Sequence, residues 1–225
     1  MRVLLVAATR AEVVPVIAAL SGAVEQPRLV HGRRGGHEVD VLVTGVGMVA
    51  TAVWCARALA ATPYDVAVNL GVCGSFTARM PPGSVVHVTR DSLPELGAED
   101  GAAFLPAQAL GLLGADEFPF TNGHLVATAP AMLPTLAALP EAVGITVNTV
   151  HGAEASIADI TARVSPDVES MEGAAFLYAC LAAGVPCAQV RAVSNRVERR
   201  NRAAWMLPEA IDALGRVAVA MLESA

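Results

Sequence analysis

The sequence predicts an α/β fold: a single domain in which a mixed, largely parallel central sheet is flanked by helices. Three observations support this prediction. Apolar runs typical of strands alternate with segments of helical pattern along the chain, and this alternation favours parallel pairing. The length of 225 residues and the hydrophobic content of 54% suit one domain with a large core. No repeat, low-complexity segment or linker divides residues 1–225.

The first half of the chain contains branched apolar runs, which are typical of buried strands, and alanine-rich segments, which are typical of helices. Gly35-Gly36 separates two strand-like segments and indicates a hairpin turn. In chain order, the predicted elements are a strand at 2–8, a helix at 10–21 ending near Gly22, hairpin strands at 28–34 and 37–44, a helix at 47–61 and a strand at 65–70.

The second half repeats the alternation after a long interruption. Residues 91–124 are rich in Gly, Pro and acids and show little periodicity. They predict a long connection, which in a compact domain is usually functional or mobile. The remaining predicted elements are strands at 83–90, 144–150 and 186–194 and helices at 171–184 and 207–223.

Charge and composition exclude several classes of function. The net charge of −6 argues against a nucleic acid as the main partner, because such proteins present a basic face. No clean run of 18 apolar residues predicts a membrane span, and Thr9, Arg10 and Glu12 interrupt the N-terminal apolar run before any signal-peptide pattern. We therefore expect a cytoplasmic protein without a membrane partner.

The cysteine and histidine positions predict neither a disulfide framework nor a metal site. The four cysteines form no CxxC pair, so we expect reduced thiols in the core. The five histidines have no metal-ligand spacing, so we expect no metal. No cofactor is predicted either.

In a sheet of this kind, ligands bind beyond the carboxyl ends of the strands. Several polar groups follow predicted strands and are expected to meet there. They are residues 9–12, 45–47, 69–75, 151–156 and 194–195, together with Glu172 at the start of a helix.

Two acids in this set each have two interpretations. Glu12 lies in the first turn of a predicted helix, where it is either a general base or a surface acid favoured by the helix dipole. Glu172 stands at the head of an apolar helix, where it either contacts a small polar ligand or stabilises the helix N-terminus.

Two glycine-rich segments and a basic run are weaker signals. Residues 45–50 match GxGxxA but follow a hairpin strand, so we expect a tight turn whose N–H groups meet a polar ligand or water. Residues 69–75 predict a second turn, either a plain one or one that allows close backbone approach. The run with Arg196, Arg199, Arg200 and Arg202, before Trp205, is either solvated, subunit-facing or an anion anchor.

Taken in order, five segments resemble the nucleoside phosphorylase/nucleosidase superfamily, and the resemblance covers nearly the whole chain. Residues 2–12 resemble its opening strand with a catalytic glutamate. Residues 44–50 and 69–74 resemble its two glycine turns. Residues 170–175 (SMEGAA) and 191–195 (RAVSN) resemble its Met-Glu-Gly/Ala-x-Ala and Arg-x-Ile/Val-Ser-Asp/Asn segments. The resemblance implies a phosphorylase-like fold, a purine nucleoside as small-molecule substrate and a homo-oligomer.

Three branches of the superfamily compete: phosphorylases, methylthioadenosine/adenosylhomocysteine nucleosidases, and futalosine hydrolases of menaquinone biosynthesis. Hexameric phosphorylases usually carry arginine where this chain has Asn69, so the neutral residue favours water as nucleophile. Adenine-cleaving nucleosidases carry aspartate where this chain has Asn195. An amide cannot protonate a purine but can donate and accept hydrogen bonds, which suits a 6-oxopurine. Residues 91–104 and 195–205 also resemble the futalosine hydrolases, which release hypoxanthine.

The resemblance also implies roles for individual residues. Glu12 would take a proton from water and Asn195 would hold the departing base. Glu172 would bind the ribose hydroxyls, and Arg196 or a neighbour the aryl carboxylate of futalosine. Adenine nucleosidases carry a second glutamate where this chain has Ser170, with Glu169 beside it. The further substrate-binding residues implied are Met171, Val72, Cys73, Gly74 and Ser194.

Two alternatives from other classes stay open at this point. One is a nucleoside-binding sensor without catalysis, and the other is a dinucleotide-binding oxidoreductase that uses residues 45–50. Neither explains why Glu12, Glu172 and Asn195 occur together.

Overall fold

The structure is a computed structural model, and it describes residues 1–224. A ten-stranded mixed sheet forms its centre, a two-stranded hairpin lies beside it, and five α-helices complete it. The strands are β1 Arg2–Ala7, β2 Ser21–Glu25, β3 Leu29–Arg34, β4 His37–Val43, β5 Val66–Ser75, β6 Val85–Ser92, β7 Gly97–Asp100, β8 Ala103–Pro106, β9 Leu125–Val126, β10 Glu141–Thr146, β11 Val168–Ser170 and β12 Cys187–Arg196. The helices are α1 Arg10–Ala18, α2 Met48–Ala61, α3 Glu154–Val164, α4 Gly173–Ala183 and α5 Leu207–Ser224. Short 3₁₀ turns lie at Pro134–Ala138 and Arg202–Ala204.

The strand order in the sheet is β11-β10-β6-β12-β5-β1-β4-β3-β2, with β9 on β6. The central strands β4, β1, β5 and β12 pair in parallel. The β2–β3, β3–β4 and β12–β6 pairs are antiparallel. β11 pairs with both β10 and β5, so five strands close into a small ring. The predicted α/β class with a mixed sheet flanked by helices is confirmed.

Alternation along the buried strands divides the core into two layers. Val3 and Leu5 of β1 face the layer that contains α1 and α5, whereas Leu4 and Val6 face the layer that contains α2 and α4. Side chains alternate between the two faces of a strand, so a continuous apolar run fills both layers at once. This arrangement leaves the carboxyl ends of β1, β5 and β12 at one edge.

Several short or exposed elements escaped prediction. They are β2, the β7–β8 hairpin within the predicted connection 91–124, the two-residue strand β9, α3 and β11. β2 and β7 are fully exposed, so neither carries an apolar pattern. α3 does have apolar residues at helical spacing, Ile157, Ile160 and Val164, although only Ile160 is fully buried, and this short pattern was missed. β11 has three residues, too few for a periodicity to be visible.

Several predicted strand ends are wrong. The strand predicted at 144–150 is Glu141–Thr146, which ends four residues earlier. The glycine turn predicted at 69–75 is the second half of β5, and Ser194 and Asn195 lie within β12 rather than after it. Gly71 and Gly74 do not turn the chain. They remain extended, and their missing side chains make room for Arg191 and Val197. The glycines serve close approach by neighbouring side chains rather than a turn.

The four cysteines are unpaired and buried, as expected of core thiols. Burial raises the pKa of Cys55 and that of Cys73 to about 12, so both thiols stay protonated at neutral pH. Within residues 1–224, no helix is both long enough and apolar enough to cross a membrane.

Candidate functional site

Glu12 is buried at the carboxyl end of β1, with 6% of its surface exposed. Its Oε2 accepts hydrogen bonds from the backbone N–H and the hydroxyl of Thr9, both at 2.8 Å. Its Oε1 accepts the backbone N–H of Val72 at 3.1 Å. The local cap that Glu12 forms with Thr9 therefore aims the carboxylate inward, toward β5. The interpretation of Glu12 as a surface acid is wrong.

Glu172 is the residue that precedes α4, and it is also 6% exposed. Its Oε1 accepts the backbone N–H of Gly47 at 2.9 Å, and its Oε2 lies 3.9 Å from Nη1 of Arg191. Gly47 in turn precedes α2, with φ of +95°. The Glu172 carboxylate therefore lies between two helix N-termini, where a negative charge is stabilised. The glycine turn at 45–50 meets this carboxylate through the Gly47 N–H.

Arg191 lies near both Glu12 and Glu172, and it is a site residue for which the sequence predicted no role. Its side chain is 1% exposed, and its Nη2 donates to Oδ1 of Asn69 and to Oε1 of Gln189. A Cβ on Gly71 would lie 2.0 Å from Arg191 Nη1 and 3.1 Å from Glu12 Oε1. The guanidinium therefore occupies the space over Gly71, next to Glu12 and facing Glu172. The RAVSN segment contained this signal, but a buried arginine cannot be told from an exposed one in sequence.

Asn69 does not face a ligand site, as its comparison with the phosphate-binding arginine of phosphorylases had assumed. The residue is fully buried inside β5, donates to the carbonyl of Val6 at 3.0 Å and accepts from Arg191. It orients the guanidinium instead of facing a ligand. The inference from Asn69 to water as nucleophile therefore loses its structural basis.

Asn195 lies beside Gly74 on β12, just after a register irregularity that begins at Val193. Its Nδ2 donates to the carbonyl of Arg196 at 2.8 Å, and its Oδ1 accepts from the Ser194 hydroxyl at 2.8 Å. The side chain is half-buried. One N–H of the amide and one lone pair of its oxygen stay available to a ligand.

The remaining candidate residues line the same edge of the sheet in different ways. Val72 is half-buried in the second half of β5, and Met171, directly after β11, is also half-buried. Cys73 packs its side chain into the core, so it can meet a ligand through the backbone alone. Ser194 is buried, with its hydroxyl 3.2 Å from the carbonyl oxygen of Cys73, and supports Asn195.

The basic run extends away from these residues. Arg196, Arg199 and Arg200 are exposed. The guanidinium carbons of Arg200 and Arg202 lie 5.7 and 5.9 Å from the centre of the Trp205 ring, which is half-buried. Arg196, directly after Asn195, is the cation of this run closest in sequence to the site.

A buried polar network underlies the start of α4. Asp91 accepts from Gln189 Nε2 at 2.8 Å and from the Thr146 hydroxyl at 3.0 Å. The Thr146 hydroxyl accepts the backbone N–H of Ala174 at 2.7 Å. Burial raises the pKa of Asp91 to about 7. Within residues 1–224, no three His, Cys, Asp or Glu side chains are grouped as metal ligands.

The chain matches known proteins over most of its length. The sequence profile of the Phosphorylase superfamily matches residues 2–223. Among solved structures, an S-adenosylhomocysteine nucleosidase from Streptococcus pyogenes superposes with a TM-score of 0.83, at 21% identity over 99% of this chain and 96% of that chain. This likeness confirms the predicted phosphorylase-like fold.

Curated relatives are more similar in sequence. A futalosine hydrolase from Streptomyces coelicolor is 37% identical over 80% of this chain and 78% of its own length. A futalosine hydrolase from Thermus thermophilus is 35% identical over 78% of this chain and 77% of its own length. The chain therefore belongs to the Phosphorylase superfamily and, within it, to the futalosine hydrolase family.

Proposed function

We propose that this protein hydrolyses the N-glycosidic bond of futalosine and releases hypoxanthine and dehypoxanthine futalosine. One observation carries the proposal beyond the family relationship: two buried carboxylates, Glu12 and Glu172, both lie near the Arg191 guanidinium at the carboxyl edge of the sheet. Asn195, which is half-buried, lies at the same edge. These groups suit a reaction in which positive charge develops on a ribose ring.

Cleavage of such a bond passes through a transition state with oxocarbenium character. Glu172 holds the ribose hydroxyls in this proposal. Its Oε1 already accepts the Gly47 N–H, but a carboxylate has about four lone-pair positions, so acceptor capacity remains for two hydroxyls. Hydrogen bonds to a charged acceptor are the stronger kind, and the negative charge also stabilises the developing cation.

Glu12 takes the proton of the attacking water. Three N–H and O–H donors, from Thr9 and Val72, fix both of its oxygens, so the carboxylate is held in place before substrate arrives. General-base catalysis by a positioned side chain contributes about 10²–10⁴-fold. The Arg191 guanidinium occupies the neighbouring space over Gly71.

Asn195 orients the departing base. Its amide donates one hydrogen bond to Arg196 and has a second N–H for O6 of the hypoxanthine base. The backbone of Val72, Cys73 and Gly74 and the side chain of Met171 form the adjoining walls in this proposal. Arg196 is the proposed partner of the aryl carboxylate, since an arginine binds a carboxylate through two hydrogen bonds.

The test is an incubation of the purified protein with futalosine, inosine and methylthioadenosine in phosphate-free buffer, with release of free base followed by chromatography. We expect hypoxanthine from futalosine at the highest rate. Adenine release from methylthioadenosine without hypoxanthine release would support an adenine nucleosidase instead. An absolute need for phosphate would support a phosphorylase, and tight binding without turnover would support a sensor.

A homo-oligomer is part of the proposal. Helices α2 and α4 together expose an apolar surface that includes Val49, Val53 and Tyr178. A contiguous apolar surface of this kind is typical of a protein interface, and we propose that a second copy of the chain covers it. A cytoplasmic location, supported by the four buried thiols, and a role in menaquinone biosynthesis complete the proposal.

A further inference from the structure

We propose that His151, held by Glu169, touches the leaving base and donates a proton to it as the glycosidic bond breaks. This inference rests on the proposed function and adds a general acid that the mechanism above lacks. Asn195 cannot supply the proton, because an amide does not ionise at neutral pH. The pair has no part in the roles described so far for Glu12, Glu172 and Asn195.

The two side chains form a close, buried pair. His151 Nδ1 lies 2.6 Å from Glu169 Oε2, and the backbone N–H of His151 donates to Glu169 Oε1 at 3.0 Å. The side chains are 10% and 3% exposed, respectively. A carboxylate is an acceptor, so Nδ1 carries the proton of this hydrogen bond. Because Nδ1 is bound to Glu169, the other nitrogen, Nε2, is the one that can exchange a proton with a ligand. Nε2 faces away from Glu169.

Strand register places this pair beside Asn195. Glu169 of β11 is the partner of Gly74 on one side of β5, and Asn195 of β12 is the partner of Gly74 on the other. Partners in adjacent strands direct their side chains to the same face of the sheet. The position that a Cβ of Gly74 would occupy lies 3.6 Å from Glu169 Cγ and 3.4 Å from Asn195 Nδ2. Val197 Cγ2 lies 2.8 Å from the same position, so the Asn195 amide, Glu169 and the Val197 side chain meet over Gly74.

His151 lies beside this group of side chains, because its ring is hydrogen-bonded to Glu169. It follows β10 by five residues and precedes α3, and its ring is 6.2 Å from that of Phe76 in an edge-to-face arrangement. Phe76 follows β5 directly, so the two rings lie at the carboxyl end of this strand. An imidazole whose orientation is fixed by a buried carboxylate is the arrangement that acid–base catalysis uses in other enzymes.

The proton balance of the step is complete. The C1′–N9 bond breaks, and its electron pair stays on the purine. The proton on Nε2 of the His151 imidazolium passes to N7, so hypoxanthine leaves as a neutral molecule. The oxygen of water bonds to C1′, and its proton passes to Glu12. His151 then regains a proton from solvent and Glu12 releases one, so the cycle consumes one water.

The test compares a leaving group that needs a proton with leaving groups that do not. The variants are His151→Gln and Glu169→Gln. The matched control is His31→Gln, because His31 Nδ1 also pairs with a buried acid, Asp40, at 2.7 Å in the β3–β4 hairpin. The substrates are futalosine, its N7-methylated form, whose base already carries the positive charge, and 4-nitrophenyl riboside, whose phenolate leaves unprotonated. Circular dichroism melts check that each variant is folded.

We expect His151→Gln to slow futalosine cleavage by about 10²-fold, the lower range for general-acid catalysis, and to change the rates on the two activated substrates by less than about threefold. Glu169→Gln should show the same selectivity with a smaller loss, because it acts by positioning the imidazole. The control should match the wild type on all three. Equal losses on all substrates, or no loss on any, would overturn the proposal.

Failure of the proposed function gives a different result. If the wild type does not cleave futalosine, the substrate is wrong, and the comparison is repeated with the purine nucleoside that the wild type cleaves and its N7-methylated form. If the wild type cleaves futalosine and His151→Gln cleaves it equally well, the substrate stands and the role of His151 is refuted.

Discussion

At the scale of single residues, Glu12 gives the most direct test of the proposed base. Glu12→Gln keeps the shape of the side chain and an oxygen that can accept the Val72 N–H or the Thr9 donors. An amide cannot take a proton from water, so we expect kcat to fall by about 10²–10⁴-fold. Single-turnover rates of base release measure the effect. A wild-type rate in a folded variant would remove Glu12 from the proposed mechanism.

Substitution of two glycines of β5, Gly71 and Gly74, distinguishes an effect on activity from an effect on stability. A Cβ at position 71 would lie 2.0 Å from the buried Arg191 guanidinium, whereas a Cβ at position 74 would lie 2.8 Å from Cγ2 of the half-buried Val197. Gly71→Ala should therefore displace Arg191 and lower both stability and activity. Gly74→Ala should move Val197 and Asn195, and reduce kcat/KM more than it reduces the melting temperature. Thermal melts and steady-state kinetics check both variants, and equal losses of stability would contradict the distinction.

Site residues could be predicted from sequence where their role depends on neighbouring residues in the chain, and not where it depends on distant ones. Glu12, Glu172 and Asn195 were predicted as a group, because each stands near a strand end and parallel strands share an edge. Asn69 was misplaced, since the glycines after it resembled a turn. The role of Arg191 depends on Gly71, Asn69 and Glu172, three distant positions whose proximity arises from strand register.

At the scale of elements, Glu172 links the first turns of α2 and α4. Glu172→Ala removes the acceptor of the Gly47 N–H and the charge facing Arg191. Leaving a buried donor unpaired costs about 1–3 kcal/mol, so urea unfolding should show a loss of that size. Glu172→Gln keeps an acceptor for Gly47 and should be less destabilised, yet still lose activity. Equal stability of the two variants would show that the Gly47 contact contributes nothing.

Elements were predictable from sequence in proportion to the apolar surface they bury. The strands β1, β5 and β12 and the helices α2, α4 and α5 carry long apolar patterns and were all predicted. α3 has only three apolar residues at helical spacing, Ile157, Ile160 and Val164, and buries Ile160 alone, so its short pattern was missed. β11 is three residues long, too short to show a pattern. Yet β11 positions Glu169 and Ser170 at the site, which explains why the Glu169–His151 pair had no predicted role.

At the scale of the whole molecule, Asp91 predicts how stability depends on pH. Its pKa is about 7 in the folded chain because of burial, against 3.8 ordinarily. Between these values the folded state holds a proton that the unfolded state has lost, so the free energy of unfolding falls as pH rises from about 4 to about 7. The upper limit is about 4 kcal/mol, at about 1.4 kcal/mol per pKa unit.

The variant Asp91→Asn isolates this effect. Its side chain stays neutral, so its stability relative to wild type should rise between pH 5.5 and pH 8, by an amount on the order of a few kcal/mol. Urea unfolding at both pH values measures the difference. A constant difference between the two proteins would mean that Asp91 does not titrate in this range.

The proposed second copy of the chain also belongs to this scale. Val49 is 78% exposed on α2, within the apolar surface that α2 and α4 share. Val49→Glu should dissociate the oligomer, because a buried unpaired charge is costly at an interface. Light scattering after size exclusion gives the mass, with Leu112→Glu, on an exposed loop leucine, as the matched control. A monomeric wild type would refute the proposal.

The double pairing of β11 limits how this family of chains can change in length. Its three residues join β10 to β5 and close the ring of strands. Inserting or deleting one residue here would exchange the faces of Val168 and Glu169, because side chains alternate along a strand. The apolar residue would then face Asn195 and Val197 over Gly74, and the acid would enter the core. Residues 107–124 and 197–205 lie outside any strand paired on both sides, so we expect homologues to vary in length there and not at residues 168–170.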